Sequence, residues 1–172
     1  MYAQTLIDDD DAMAIKEGPQ YLLFYLHVTL FALKGALIEE IIELPKITKV
    51  PWMQACVKGV CNIRGSVVGV LDIGKYLMRS DFTNTKRSSL VIVKSEHEGI
   101  TNKIGLVIDE VYEVEVFEAN ELQVVPSFGL PIASKYVEAM IAYKGDFIPV
   151  LNLSVVADIE LLSQRENLHA SI

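Results

Sequence analysis

Residues 57–73 read VKGVCNIRGSVVGVLDI, and the fold turns on whether this stretch stands alone. Arg64-Gly65 sits at its centre, with apolar residues alternating or running on either side. Two such runs around a glycine-containing pair read as a hairpin. That accounts for the glycine and leaves open why an arginine stands beside it.

The stretch does not stand alone. PWMQACVKGVCNIRGSVVGVLDI (51–73) aligns without a gap on PIASKYVEAMIAYKGDFIPVLNL (131–153), at an offset of 80. Pro51, Val57, Gly65, Val70 and Leu71 match Pro131, Val137, Gly145, Val150 and Leu151. Average residue frequencies would give about one or two identities over such a length. The conservative matches add to this, since Arg64 faces Lys144, Val68 faces Ile148, Asp72 faces Asn152 and Ile73 faces Leu153.

A second block lies upstream. IEEIIE (38–43) resembles IDEVYE (108–113) at an offset of 70, so the second copy carries ten extra residues between Val114 and Pro131. Before each block runs an apolar segment, YLLFYL (21–26) and SLVIVK (89–94). The chain therefore reads as two related β units, joined by a polar connection over 78–89. Short strands at this spacing predict a mostly β protein built of small barrels or a sandwich. A short helical turn is expected at Pro51 and at Pro131, where proline at the first helical position loses no hydrogen bond. Gly59 is expected to close the first turn in a left-handed conformation. Val155, Ile159 and Leu162 recur at helical spacing, with Asn152 or Ser154 as the cap. They predict a C-terminal helix over 154–165 laid across the barrels, followed by a tail over 166–172.

The totals narrow the function. The 172 residues suit one domain or two small lobes, and half of them are hydrophobic, enough for a well-buried interior. A net charge of −8 argues against broad nucleic-acid binding, which needs a surplus of Lys and Arg to neutralise phosphates. The opening MYAQTLIDDDDAM places four aspartates where a secretory signal needs cations and an apolar core. Residues 1–19 are read as an acidic, solvated extension, and the compartment as the reducing cytoplasm. Cys56 and Cys61 have no histidine nearby and read as core residues rather than zinc ligands. The run 21–38 is long enough to span a membrane, but His27 and Lys34 fall inside it. Its aromatic and aliphatic content reads better as two short strands.

Enzyme chemistry finds no foothold. His27, His97 and His169 fall in a strand, a polar loop and the tail, so no histidine ligand set forms. No phosphate-binding glycine loop, dinucleotide turn or nucleophile elbow occurs. Glu39-Glu40 and Asp109-Glu110 are adjacent, and adjacent strand residues point to opposite faces. The expectation is a non-catalytic protein without cofactor or metal.

Gly59-Val60, Asn62, Arg64-Gly65, Val67-Val68 and Val70-Leu71-Asp72 together resemble the signature of the CheW-like family of bacterial chemotaxis coupling proteins. Tyr21–Phe24, Phe31–Leu33, the Ile38-x-Glu40-Ile41 triplet, Ile104–Val111 and Phe147–Leu151 fit the family pattern in order. The resemblance spans 20–155. Gly69 departs from it where the family commonly has proline, Ala139 where glycine is common, and the turn His27–Leu30 lacks the usual glycine and acidic residues.

The resemblance implies two five-stranded SH3-like barrels sharing a core, assigned here to a first lobe over about 20–80 and a second over about 88–155. It implies an adaptor joining a CheA-type histidine kinase to the cytoplasmic tips of methyl-accepting chemoreceptors, recruited to membrane-associated receptor arrays. The alternatives are a sister scaffold in type IV pilus or twitching control and an unrelated β-barrel binding module. Carried over by position, the partner-binding residues are Ile38, Glu40, Gly59, Asn62, Arg64 and Gly65. Asn62 and Gly65 would shape the turn that presents Arg64. The plainer readings are core burial for Ile38 and backbone geometry for the two glycines.

Overall fold

The structure, a computed structural model, describes residues 16–79, 85–158 and 162–163. Among the described residues eleven strands form: β1 (Gln20–Leu26), β2 (Thr29–Lys34), β3 (Ile38–Glu43), β4 (Val57–Ile63), β5 (Ser66–Asp72), β6 (Ser89–His97), β7 (Ile100–Ile108), β8 (Glu110–Val116), β9 (Leu122–Gln123), β10 (Val137–Tyr143) and β11 (Asp146–Leu151). Helix α1 (Ile73–Met78) follows β5, and α2 (Leu153–Val156) follows β11.

The strands make two sheets, ordered β8-β1-β2-β11-β10-β9 and β3-β6-β7-β5-β4. The two-residue β9 aside, these are the same five-stranded arrangement made twice. In each sheet the three later strands of one unit are completed by the first hairpin of the other. Hairpin β1–β2 pairs with β8 on one side and, in parallel, with β11 on the other. Hairpin β6–β7 pairs likewise with β3 and, in parallel, with β5. The expected lobes of contiguous sequence, 20–80 and 88–155, are therefore corrected: each sheet draws strands from both halves, because the units exchange hairpins.

The exchange explains why residues 21–26 of β1 and 90–93 of β6 are apolar without alternation. Strand alternation sends successive side chains to opposite faces, and both faces of these strands are covered. Leu22 and Phe24 of β1, with Val91 and Val93 of β6, enter one core shared by both sheets. Tyr21 and Leu23 pack with Ile141, Ile148 and Val150 inside the first sheet. Leu90 and Ile92 pack with Cys61, Val68 and Val70 inside the second. The run 21–38 thus becomes the hairpin β1–β2 and a 3-10 turn over Gly35–Leu37. Among the described residues no helix is long and apolar enough to cross a membrane.

The internal repeat holds down to single hydrogen bonds. Asp72 N–H donates to the Cys56 carbonyl at 2.8 Å, and Asn152 N–H donates to the Tyr136 carbonyl at 2.8 Å. Asp72 precedes α1 with φ −82° and ψ 93°; Asn152 precedes α2 with φ −82° and ψ 94°. The paired strands carry register shifts at Val57/Gly59 and at Val137/Ala139.

Three expectations need correction. No helix opens at Pro51, where the chain turns with Trp52 at φ 66°, and the turn at the second copy is a 3-10 helix over Ser134–Tyr136, three residues beyond Pro131. Gly59 closes no helix and lies within β4. The C-terminal helix starts at Leu153 rather than 154 and its first piece ends at Val156; Leu162, whose N–H donates to the Asp158 carbonyl at 3.0 Å, is helical again, and Leu153, Val156 and Leu162 are all buried in the shared core. Of its expected remainder, 159–161 and 164–165 lie outside the described residues, as do the aspartate run Asp8–Asp11 and the tail 166–172.

Candidate partner-binding site

The site grows from the turn between β4 and β5. Ile63 pairs with Ser66, so the loop is two residues, Arg64 at φ 51° and Gly65 at φ 84°. Positive φ at both central residues is the hairpin turn whose twist matches that of the flanking strands. The Asn62 side-chain oxygen accepts from Gly65 N–H at 2.9 Å, fixing the turn from below. Arginine in a left-handed conformation carries a backbone cost that glycine or asparagine would largely avoid. The second copy repeats it, with Lys144 at φ 48° and Gly145 at φ 83°.

Arg64 does not point into solvent alone. Its Nη2 donates to Glu40 Oε2 on β3 at 2.9 Å, although the guanidinium side chain stays 82% exposed. β3 and β4 are the two ends of the second sheet's strand order, so this pair spans from one end to the other. Next to it on β3, Glu39 accepts from Lys103 of β7 at 2.8 Å. Lys103, and then the charges of Lys94 and Arg64, hold the Glu39 carboxyl below its ordinary range. Glu39 on β3 thus faces a cluster of cations, Lys94 on β6, Lys103 on β7 and Arg64 at the hairpin tip. Sequence reading missed Glu39, Lys94 and Lys103; Lys94 and Lys103 become neighbours only through β6–β7 pairing.

Of the six residues expected at the site, the structure brings Glu40, Asn62, Arg64 and Gly65 together. Ile38 lies at the start of β3, half-buried against the shared core. Gly59 stands apart and has a structural explanation. At φ 143° a Cβ there would lie 2.0 Å from the Thr48 carbonyl oxygen, where Thr48 and Val60 exchange backbone hydrogen bonds at 2.8 and 2.9 Å. Only glycine lets these two stretches of backbone approach so closely.

The arrangement places Arg64 and Lys103 in ion pairs with Glu40 and Glu39 at the surface. Among the described residues no cluster of three or more His, Cys, Asp or Glu could hold a metal. Burial pushes both the Cys56 and Cys61 thiols up, away from the thiolate form that a nucleophile needs.

A family model described as the CheW-like domain matches residues 20–161. The chain belongs to the CheW-like family. It is 23% identical over 146 residues to the chemotaxis protein CheW of Bacillus subtilis, covering 85% of this chain and 91% of that one. It is 29% identical over 80 residues to the protein PilI of Pseudomonas aeruginosa, covering 46% of this chain and 43% of that one. The fold matches the crystal structure of the scaffolding protein TtCheW from Thermoanaerobacter tengcongensis with a TM-score of 0.74, at 24% identity over 84% of this chain and 90% of that one. In this CheW-like chain the two barrels sharing a core, expected from the sequence, are the two sheets with their exchanged hairpins.

Proposed function

We propose that the chain is a non-catalytic adaptor that joins the cytoplasmic tips of methyl-accepting chemoreceptors to a CheA-type histidine kinase. The observation that carries this reading is the CheW-like match across residues 20–161, which takes in both barrels and the Arg64 hairpin. The physical demands of the role fit the body described above. An adaptor needs two binding faces held at fixed separation, and the hairpin exchange makes each barrel depend on the other. Receptor recognition is helix-in-groove, with a helical tip laid against apolar surface and anchored by fixed charges. Arg64, oriented by Glu40 and by the Asn62–Gly65 turn, is the anchor on that side, and Ile38 offers its half-buried flank. Gly59 contributes through the backbone alone. Kinase binding joins one barrel of this chain to a barrel of the kinase's regulatory domain, which places the protein in the cytoplasm at receptor arrays.

A second reading places the same scaffold in type IV pilus or twitching control, and the similarity to PilI favours it. The two readings share the fold and the site and differ in the partner.

Pulldown of the folded chain with a CheA-type kinase and with a receptor cytoplasmic fragment tests the proposal. Capture of both at micromolar concentration supports the adaptor. Failure to capture any CheA-type kinase, with the protein folded by circular dichroism, rejects it.

A further inference from the structure

The two ends of the first sheet meet along a seam between β8 and β10. Near the β10–β11 turn side chains close it: Lys144 Nζ lies 3.9 Å from Glu113 Oε1 of β8, and the Tyr143 hydroxyl donates to the same oxygen. Farther along, the backbone closes it. After β8 the chain turns through a 3-10 helix over Ala119–Glu121 and enters β9, which pairs Leu122 with Ile141 and Gln123 with Met140 of β10. β9 lies in the interval that holds the ten extra residues of the second unit. It stands last in the strand order, so its outer edge pairs with no strand among the described residues.

That edge faces the incoming chain. The pairings make β1 and β10 run one way and β8 and β9 the other. β8 has β1 on one side and β9 has β10 on the opposite side, so the open edge of β9 lies on the line of β1 extended upstream. Residues 16–19 follow that line. Phe117 N–H donates to the Pro19 carbonyl at 3.3 Å, and a Cβ on Gly18 would lie 2.9 Å from the Phe117 carbonyl oxygen. Lys16 Nζ meets Glu121 Oε1 at 3.1 Å and lies 5.9 Å from the Phe117 ring centroid. Lys16 therefore sits beside the last residue before β9. The next residues upstream, outside the described ones, read Ala12-Met13-Ala14-Ile15, uncharged and alternating small with large apolar side chains. Across the edge stand Leu122, packed against the interior of the first sheet, and Val124, 92% exposed.

We propose that the open edge of β9 is the docking site of this chain's own residues 12–15, which add to the first sheet as an antiparallel strand. Residues two apart share a strand face, so Ile15 meets Leu122 and Met13 meets Val124. The aspartates at 8–11 stay beyond the sheet in solvent. Only four of the fifteen residues ahead of Lys16 are needed, and they adjoin it directly. An open strand edge is a template for a foreign strand, and filling it from within denies it to other chains. The inference goes beyond the adaptor reading and does not rest on it.

NMR of the full chain tests this. Nuclear Overhauser effects between residues 12–15 and 122–124, at a strength independent of protein concentration, support the docked strand. Amide hydrogen exchange at Gln123 and Val124 is the second readout. Ile15→Pro, which cannot donate to a ladder, and Met13→Asp, which charges the apolar face, should each speed exchange there by about fivefold, the factor for one net hydrogen bond. Thr5→Pro, outside the strand, should leave it unchanged. Absence of those Overhauser effects, exchange unmoved by both variants, or an equal response to Thr5→Pro would overturn the proposal. So would contacts seen only between differently labelled molecules in a mixed sample, because the occupant would then be a second copy.

Discussion

Arg64 and Glu40, 24 residues apart in sequence, meet at 2.9 Å across the ends of the second sheet. An exposed pair of this kind contributes at most about 1 kcal/mol to stability. Its value lies in holding an otherwise mobile guanidinium in one place above a turn.

Arg64→Gly separates the two roles. Glycine relieves the left-handed φ of 51° and removes the cation, so thermal unfolding should stay level or rise. Receptor capture in the pulldown should fall. A large loss of thermal stability would make Arg64 a structural residue.

Gly59→Ala should cost about 3 kcal/mol or more, since the new methyl overlaps the Thr48 carbonyl and the backbone conformation is strained for any other residue. Gly65→Ala has open space within 4 Å and should cost only about 1 kcal/mol, from its φ of 84°. Urea unfolding of the two variants side by side checks the contrast. Equal costs would mean that the close approach at Thr48 is not rigid.

Asp72 is buried, and burial raises its carboxyl above the ordinary range despite the hydrogen bond from Lys75 N–H. The folded state therefore binds this proton more tightly than the unfolded state does. The penalty appears as pH rises from the ordinary carboxylate value through the raised one, and it is complete at neutral pH. Asp72→Asn places here the residue that the second unit has at Asn152. It should stabilise the chain at pH 7 and lose that effect towards pH 3, read by urea midpoints at the two values.

Phe24→Ala should cost about 3–5 kcal/mol and leave a single unfolding transition. Phe24 belongs to the core shared by both sheets, which lies between the two barrel interiors and ties them together. Calorimetry would show a calorimetric enthalpy equal to the van't Hoff value. Two resolved transitions would mean that the barrels melt independently.

Strand order along the chain was legible because period-two patterning and the repeat at offset 80 are local signals. The exchange of hairpins was not, since β1 reads the same whether it pairs with β3 or with β8. Its one trace is compositional: YLLFYL and SLVIVK are apolar on both faces, as strands covered on both sides must be. At the site, Asn62 and Gly65 were readable as turn chemistry and Arg64 as its neighbour. The Glu40 contact was not, because it closes a separation of 24 residues. Pro51 misled because proline suits the first residue of a helix and also a tight turn.

The hairpin exchange also says what a single unit could do without its twin. Strands β3, β4 and β5 lack the two strands that complete their sheet, while β1 and β2 lack a sheet to join. One unit can satisfy both needs only by trading hairpins with a second copy of itself. In its connectivity the chain is thus a two-fold dimer spliced into one polypeptide. Once the two halves are tied, each is free to diverge, and the Arg64 and Lys144 corners are where that divergence is written.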